Sequence, residues 1–267
     1  MRLAGKIAIV VGAGQSPGEG MGNGRATVLR FAEEGARVLA VDNRLASAEE
    51  TAAMVAEAGG ECVACEADVT KEATLVKAIQ AAHRRWGRID ILHNNVGVSI
   101  AGGDAPPLEI TEEAFDRVIA INIRGTVMAC KHVLPIMRQQ RAGAIINISS
   151  TAAWEDYPLV TYKATKAAMI AYTKQVAMQN AEYGVRANVI LPGLIDTPMA
   201  VDTRARVSGK SRAEVAAMRD AKVPLRRRMG TALDIANAAL FLASEEARFI
   251  TGVALAVDGG ALAHMGS

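Results

Sequence analysis

Tyr162 and Lys166 stand four positions apart in Tyr162-Lys163-Ala164-Thr165-Lys166, and Ser149-Ser150 closes an apolar run a dozen residues upstream. On a helix, residues i and i+4 share a face, which brings the Lys166 ammonium near the Tyr162 phenol. A phenol with its ordinary pKa of about 10 is a poor base at neutral pH. A neighbouring cation favours phenolate and lowers that value. A tyrosine tuned in this way takes a proton from an alcohol or gives one to a carbonyl oxygen, while a serine hydroxyl holds the same oxygen in place. Tyr-x-x-x-Lys is also ordinary helix surface, so the elements around the pair decide its meaning.

Those elements alternate. Short apolar runs fall at Ile7–Val11, Val38–Val41, Cys62–Ala67, Ile89–Leu92, Ala144–Ile148, Ala187–Leu191 and Val253–Val257. Between them lie stretches of helical periodicity near Arg25–Glu34, Ala46–Ala58, Lys71–Trp86, Glu112–Met137, Thr161–Tyr183 and Leu233–Ala243. Strands alternating with helices predict βαβ units, and so a seven-stranded parallel sheet with helices on both faces, in a doubly wound Rossmann α/β fold. No repeat, low-complexity tract or linker divides the 267 residues, which are expected to form a single domain. Residues 199–230 form a polar, charge-rich insertion between the sixth and seventh strands, of the kind that serves as a lid or binding loop.

Composition narrows the function classes. Half of the residues are hydrophobic, and the formal net charge of +2 supplies no global field for nucleic acid or membrane. The cluster Arg226-Arg227-Arg228 reads as a solvated face or an oligomer contact. The first apolar run passes into a glycine loop without a cleavage-site pattern, and no apolar stretch reaches the roughly 18 residues of a membrane span; a cytoplasmic protein is expected. Cys62, Cys65 and Cys130 cannot all pair. Cys62 and Cys65 lie three apart on a strand, facing opposite sides, with no second Cys or His cluster, so they read as structural and no metal site is expected.

The first strand leads into Gly12-Ala13-Gly14, followed by Gly18, Gly20, Gly22 and Gly24 before a helix opens at Arg25. Glycines there let the backbone turn tightly and approach a pyrophosphate at the helix N-terminus. The strict G-x-G-x-x-G spacing is absent, but an acidic residue, Asp42, ends the second strand where a ribose hydroxyl would need an acceptor. Asp42 would repel a 2′-phosphate and favours NAD over NADP. Arg25 and Arg44 lie close enough in sequence to weaken that preference.

Over nearly its whole length the chain resembles the short-chain dehydrogenases/reductases of single-domain type. Asp68-Val69 resembles the family's adenine-contacting pair, and Asn94-Asn95-Val96-Gly97 its Asn-Asn-Ala-Gly motif, with valine for alanine. Pro192-Gly193, Ile195 and Thr197 match the segment that covers the nicotinamide, and Val257-Asp258-Gly259-Gly260 the family's ending. The resemblance implies a catalytic tetrad of Asn122, Ser150, Tyr162 and Lys166, with Asn122 holding a proton-relay water near the lysine. It also implies cofactor contacts at Gly12, Gly22, Gly24, Asp42, Asp68, Val69, Asn95, Val96, Gly97, Tyr162, Lys166, Pro192, Gly193, Ile195 and Thr197. The loop departs from the pattern, with nine residues between Gly12 and Gly22, which leaves open which amides meet the pyrophosphate. The family's usual spacing to the tyrosine selects Ser149, whereas its Ile-Ser-Ser pattern selects Ser150, the residue taken here.

The implied reaction is NAD-dependent interconversion of a secondary alcohol and a ketone by hydride transfer, in a homotetramer. An NADPH-dependent reductase of 3-oxoacyl thioesters on acyl carrier protein shares these motifs. A non-catalytic dinucleotide-binding sensor is the alternative from another class. Ala153–Val160, Val98–Leu108 and the insertion from Met199 onward are expected to shape the substrate pocket, with Trp154, Tyr157, Leu159 and Met199 as an apolar wall.

Overall fold

Valine- and isoleucine-rich runs, which suit a pleated buried surface, become strands, and the alanine-rich stretches between them become helices. In the computed structural model, which describes residues 1–264, the main sheet is built from β1 (Ile7–Val11), β2 (Arg37–Asp42), β3 (Cys62–Glu66), β4 (Ile91–Asn94), β5 (Gly143–Ile148), β6 (Val185–Pro192) and, after two short strands, β9 (Ala254–Val257). The helices are α1 (Asn23–Glu33), α2 (Leu45–Glu57), α3 (Glu72–Trp86), α4 (Glu112–Ile119), α5 (Gly125–Gln140), α6 (Val160–Asn180), α7 (Thr203–Ser208), α8 (Arg212–Asp220) and α9 (Ala232–Ala243).

The seven strands lie in the order β3-β2-β1-β4-β5-β6-β9, all parallel. Successive residues feed opposite faces. Ala8, Val10 and Ile146 pack with Val28 and Phe31 of α1 and Ile235 and Leu240 of α9. Ile9, Val11 and Ile145 pack with Ile79 of α3, Val133 of α5 and Val176 of α6. This is the predicted doubly wound sheet with helices on both faces. Strand order reverses between β1 and β4, and such a switch point opens a crevice beyond the carboxyl ends of the strands.

The fourth strand departs from its predicted range, Ile89–Leu92. Asp90 stands at the entry to the strand, its N–H donating to the Ile7 carbonyl at 2.9 Å and its carbonyl accepting the Ala144 N–H at 2.8 Å, while its carboxylate accepts the Ile7 N–H at 2.8 Å and pairs with Arg88 at 2.5 Å. The strand instead extends through His93 and Asn94, whose polarity hides their complete burial. Burial holds His93 neutral, with its pKa pulled down to about 3, and Asn94 Nδ2 donates to Asn147 Oδ1 at 2.8 Å. The predicted long helix from Glu112 is also interrupted. Across Ala120–Arg124 one turn widens to π geometry, with the Gly125 N–H reaching back to the Ala120 carbonyl. Such widened turns recur at functional sites, and this one carries Asn122.

Most of the insertion is helical. Val201, Val215, Val223 and Met229 form a small apolar cluster beneath α7 and α8, and β7 (Ile195–Asp196) pairs with β8 (Gly230–Thr231) at its base. The three cysteine thiols are free. Burial pushes Cys62 and Cys130 up to about 12, far from thiolate chemistry at neutral pH. Among the described residues no helix is long and apolar enough to cross a membrane.

Candidate active site

A cavity of about 960 Å³ opens at the switch point. It is lined by Gly12, Gly22 and Gly24 of the first loop, Asp42, Asp68 and Val69, the run Asn95 to Gly97, Ser150, Tyr162 and Lys166, and Pro192, Gly193, Ile195 and Thr197. Of the residues that the family resemblance assigned to catalysis or to the cofactor, Asn122 alone does not line it.

The nucleotide end is built by the first turn. Gly12 adopts a φ of +84°, and the Val41 carbonyl accepts both the Gly12 and Ala13 N–H groups, at 2.8 and 2.9 Å. Gln15 closes the enlarged loop, its Oε1 accepting the Gly22 N–H at 3.1 Å and its Nε2 donating to the Gly20 carbonyl at 3.3 Å. The loop therefore returns to the start of α1 despite its length. Asn95 Nδ2 ties β4 to this turn through the Gly12 carbonyl at 3.0 Å. Helix and turn meet so closely at Gly24 that a Cβ there would lie 1.8 Å from the Gly12 oxygen. Gly24→Ala is expected to push α1 off the turn, weaken dinucleotide binding by more than about tenfold and destabilise the fold by about 1–3 kcal/mol. Calorimetric titration and thermal unfolding would check this, and an unchanged affinity would contradict it.

The residues present fit a dinucleotide. Asn23 Oδ1, buried at the first turn of α1, has no hydrogen-bond partner among the described residues, and Asn23 borders the cavity. The Asp42 carboxylate is fixed by the Gly14 and Arg44 N–H groups, at 2.9 and 3.0 Å. Arg25, open in the sequence as a phosphate ligand, is committed elsewhere: it pairs with Glu50 at 2.7 Å, donates to Thr51 Oγ1 at 3.0 Å and does not line the cavity. Arg44 does line it, holding the Gln15 carbonyl. Asp68 is locked in a turn by Thr70, whose N–H and hydroxyl donate to Oδ1 at 2.9 and 2.7 Å.

At the other end, α6 starts without a capping side chain of its own. Asp104, buried and nearly sixty residues away, supplies the cap, accepting the Thr161 N–H at 2.9 Å and the Tyr162 N–H at 2.7 Å. A carboxylate at a helix N-terminus meets both the free amides and the positive end of the helix dipole. Asp104 thus fixes the backbone that carries Tyr162. The two serines separate by role. Ser149 is buried and spends its hydroxyl on the Lys166 carbonyl at 2.6 Å. Ser150 borders the cavity and lies close enough to Tyr162 to favour its ionised form.

Lys166, 2% exposed, donates from Nζ to the Ile148 carbonyl at 2.8 Å and lies 5.5 Å from the centroid of the Tyr162 ring. Gly97 makes room for it, since a Cβ there would come within 3.1 Å of Nζ. The expectation that Lys166 draws the tyrosine toward neutral pH is corrected. Burial dominates both groups, pushing Tyr162 up to about 12 and pulling Lys166 down to about 8. Desolvation disfavours each charged form, and at this separation the ammonium does not reverse it. The counteracting influences on Tyr162 are Ser150 first, then Arg204 and Arg219.

The Asn122 side chain is held by three hydrogen bonds. Its Oδ1 accepts the Val98 N–H at 2.8 Å, and its Nδ2 donates to the Val98 carbonyl at 2.9 Å and Thr165 Oγ1 at 3.1 Å. With its side chain committed, Asn122 braces the loop after β4 against α6. The apolar wall is partly as expected. Tyr157, Leu159 and Met199 line the cavity, whereas Trp154 is 48% exposed and turned away from it. The Tyr157 hydroxyl lies 3.1 Å from Ser99 Oγ, and its ring packs 5.4 Å from that of Tyr162. Sequence reasoning missed Asp104, Gln15, Arg204 and Arg219. The charge-rich insertion was the only signal for the arginines, and nothing local marks Asp104 as a cap for so distant a helix.

A switch-point crevice carrying a half-buried tyrosine and a buried lysine defines an α/β enzyme of Rossmann type. A family profile described as Enoyl-(Acyl carrier protein) reductase matches residues 18–261. The chain is 38% identical to the 2-(R)-hydroxypropyl-CoM dehydrogenase of Xanthobacter autotrophicus over 95% of its own length and 97% of that protein's. It is 35% identical to the 3-oxoacyl-(acyl-carrier-protein) reductase of Thermotoga maritima, covering 97% and 99% of the two chains. Among solved structures, a Burkholderia xenovorans protein assigned to the short-chain dehydrogenases/reductases superposes with a TM-score of 0.90 at 44% identity, covering 98% of both chains. Levodione reductase superposes with a TM-score of 0.91 at 32% identity, over 98% of this chain and 100% of that one. The chain belongs to the short-chain dehydrogenase/reductase family and is an oxidoreductase acting on CH–OH groups.

Proposed function

We propose that this enzyme uses NAD to interconvert a secondary alcohol and a ketone, with Tyr162 exchanging the hydroxyl proton and Ser150 holding the oxygen. The observation that carries the reading is the placement of Ser150, Tyr162 and Lys166 on one wall of the cavity whose far end is formed by Asp42 and the glycine turn. NAD, when bound, supplies the hydride acceptor. Lys166 sits at the junction of the two ends and offers ribose hydroxyls a donor, while Asn122 and Asp104 hold the backbone on either side of it. Gly12, Gly22 and Gly24 would admit the pyrophosphate, Asp68 and Val69 would meet the adenine, and the segment Pro192–Thr197 would cover the nicotinamide. On this reading the chain works as one domain, in a cytoplasmic homotetramer.

Asp42 supports NAD over NADP, since its fixed carboxylate accepts ribose hydroxyls and repels a 2′-phosphate. Asp42→Ala is expected to shift the NADP-to-NAD ratio of kcat/KM by about tenfold or more toward NADP, with Arg44 left to face the phosphate. A ratio that does not move would count against the assignment. The reading as a whole is tested by following reduced nicotinamide while a panel of secondary alcohols is offered with NAD and with NADP. Oxidation with NAD supports it. Turnover confined to NADPH and 3-oxoacyl thioesters would favour the acyl-thioester reductase, and tight dinucleotide binding without turnover would favour a sensor.

A further inference from the structure

The insertion sends two arginines into the cavity. Arg204 lies on α7 and Arg219 in the last turn of α8, both half-buried and both bordering the same space as Tyr157 and Tyr162. Neither has a carboxylate within 4 Å among the described residues. Arg204 donates to the Ala200 carbonyl at 2.9 Å, and Arg219 donates to the Met229 sulfur, a weak acceptor, at 3.4 Å. The nearby acids are occupied: Arg212 pairs with Asp196 at 2.6 Å and with Asp202 at 3.4 Å. Glu155 and Asp156 also border the cavity, Asp156 from an exposed position. Burial first, and Arg204 after it, make the charge on Arg219 costly and draw its pKa down to about 10, against the opposing pull of Tyr157, Asp196 and Tyr162. Two like charges brought together with most of their donors unspent form a receptor for an oxyanion, which a guanidinium fork matches bidentately.

We propose that Arg204 and Arg219 form an anion-binding subsite that holds a carboxylate, sulfonate or phosphate of the substrate beside Tyr162. The inference rests on the oxidoreductase reading above and narrows it to substrates with an oxyanion a few bonds from the reacting carbon. Because the two arginines ride on separate helices of the insertion, an anion bridging them also ties α7 to α8 over the bound substrate.

The test compares hydroxy acids of graded chain length, as carboxylates and sulfonates, with the neutral methyl ester or amide of each. For the chain length that suits the cavity, the wild-type enzyme with NAD should favour the charged member by at least about tenfold in kcat/KM, mainly through KM, and less so as salt is raised. Arg204→Gln and Arg219→Gln should bring that ratio toward one. Equal kcat/KM for charged and neutral members in the wild type, or a ratio unchanged in both variants, overturns the subsite. A second arm needs no turnover. Short alkanesulfonates and dicarboxylates are titrated calorimetrically into the NAD-loaded wild type and both variants, with NAD affinity measured alongside. Binding that falls at least about fivefold in either variant while NAD affinity holds supports the subsite even if the panel fails as substrates, and that pairing assigns the failure to the reaction. Equal binding in all three proteins overturns it, as does a loss of NAD affinity that tracks the loss of anion binding, since the arginines would then serve the cofactor.

Discussion

Tyr162→Phe is expected to lower turnover by about 10²–10⁴-fold, the contribution of a positioned acid or base, while leaving NAD affinity within about threefold of wild type. The substitution keeps the ring that packs against Tyr157 and the N–H that Asp104 caps. It removes only the proton carrier. With the phenol pushed up to about 12 in the protein itself, Tyr162 stands ready as an acid for ketone reduction. Alcohol oxidation requires the phenolate, so that direction is expected to gain with rising pH until other groups titrate. Steady-state kinetics in both directions, with calorimetric NAD titration, checks each part. Turnover near the wild-type level in the variant would remove Tyr162 from the chemistry.

Lys166→Met is expected to reverse the usual coupling of activity and stability: a protein more stable than wild type and nearly inactive. Burial lowers the Lys166 pKa from 10.5 to about 8, so the unfolded chain binds this proton more tightly than the folded one. The resulting penalty is fully present below about pH 8 and disappears as pH rises through 10.5, making this residue's effect on stability increasingly favourable over that window. At about 1.4 kcal/mol per pH unit of displacement, the penalty at neutral pH is on the order of 3 kcal/mol. Methionine has similar reach and no charge, so the variant should recover part of that sum, less the bond to Ile148. Denaturant unfolding at pH 7 and pH 10 checks this. The variant should be more stable at pH 7, with its advantage shrinking at pH 10. A loss of stability at pH 7 would show that the Ile148 contact outweighs desolvation. The gain in stability is the part of the fold given up to keep an ammonium at the meeting point of the Tyr162 phenol, the Gly97 backbone and the cavity.

Much of this was legible in the sequence because the responsible signals are local. Alternation of valine-rich and alanine-rich runs gave the sheet and its covering helices, and the Tyr162 to Lys166 spacing needed only one helical turn. Strand boundaries failed where polarity misled: the fourth strand runs on through His93 and Asn94, which are buried despite their polar side chains. The widened turn around Asn122 depends on the Val98 and Thr165 contacts, which no local pattern encodes. Between the two serines the Ile-Ser-Ser pattern selected Ser150, against the spacing to the tyrosine. In the fold, the Ser149 hydroxyl goes to the Lys166 carbonyl and the Ser150 hydroxyl to the cavity side. The pKa expectation failed for a different reason, because proximity along a helix says nothing about desolvation. Arg204 and Arg219 read in sequence as part of a solvated, charge-rich stretch, and only the packing of α7 and α8 turns them inward.

The central claim is that hydride leaves a carbinol carbon for NAD in this cavity, and deuterium transfer tests it most directly. Secondary alcohols labelled at the carbinol carbon, including the hydroxy acids above, are incubated with enzyme and NAD, and the recovered cofactor is weighed by mass spectrometry. One deuterium in each molecule of reduced cofactor is the predicted result, together with its loss in Tyr162→Phe. Reduced cofactor without label, or labelled cofactor formed equally fast by the variant, would contradict the account.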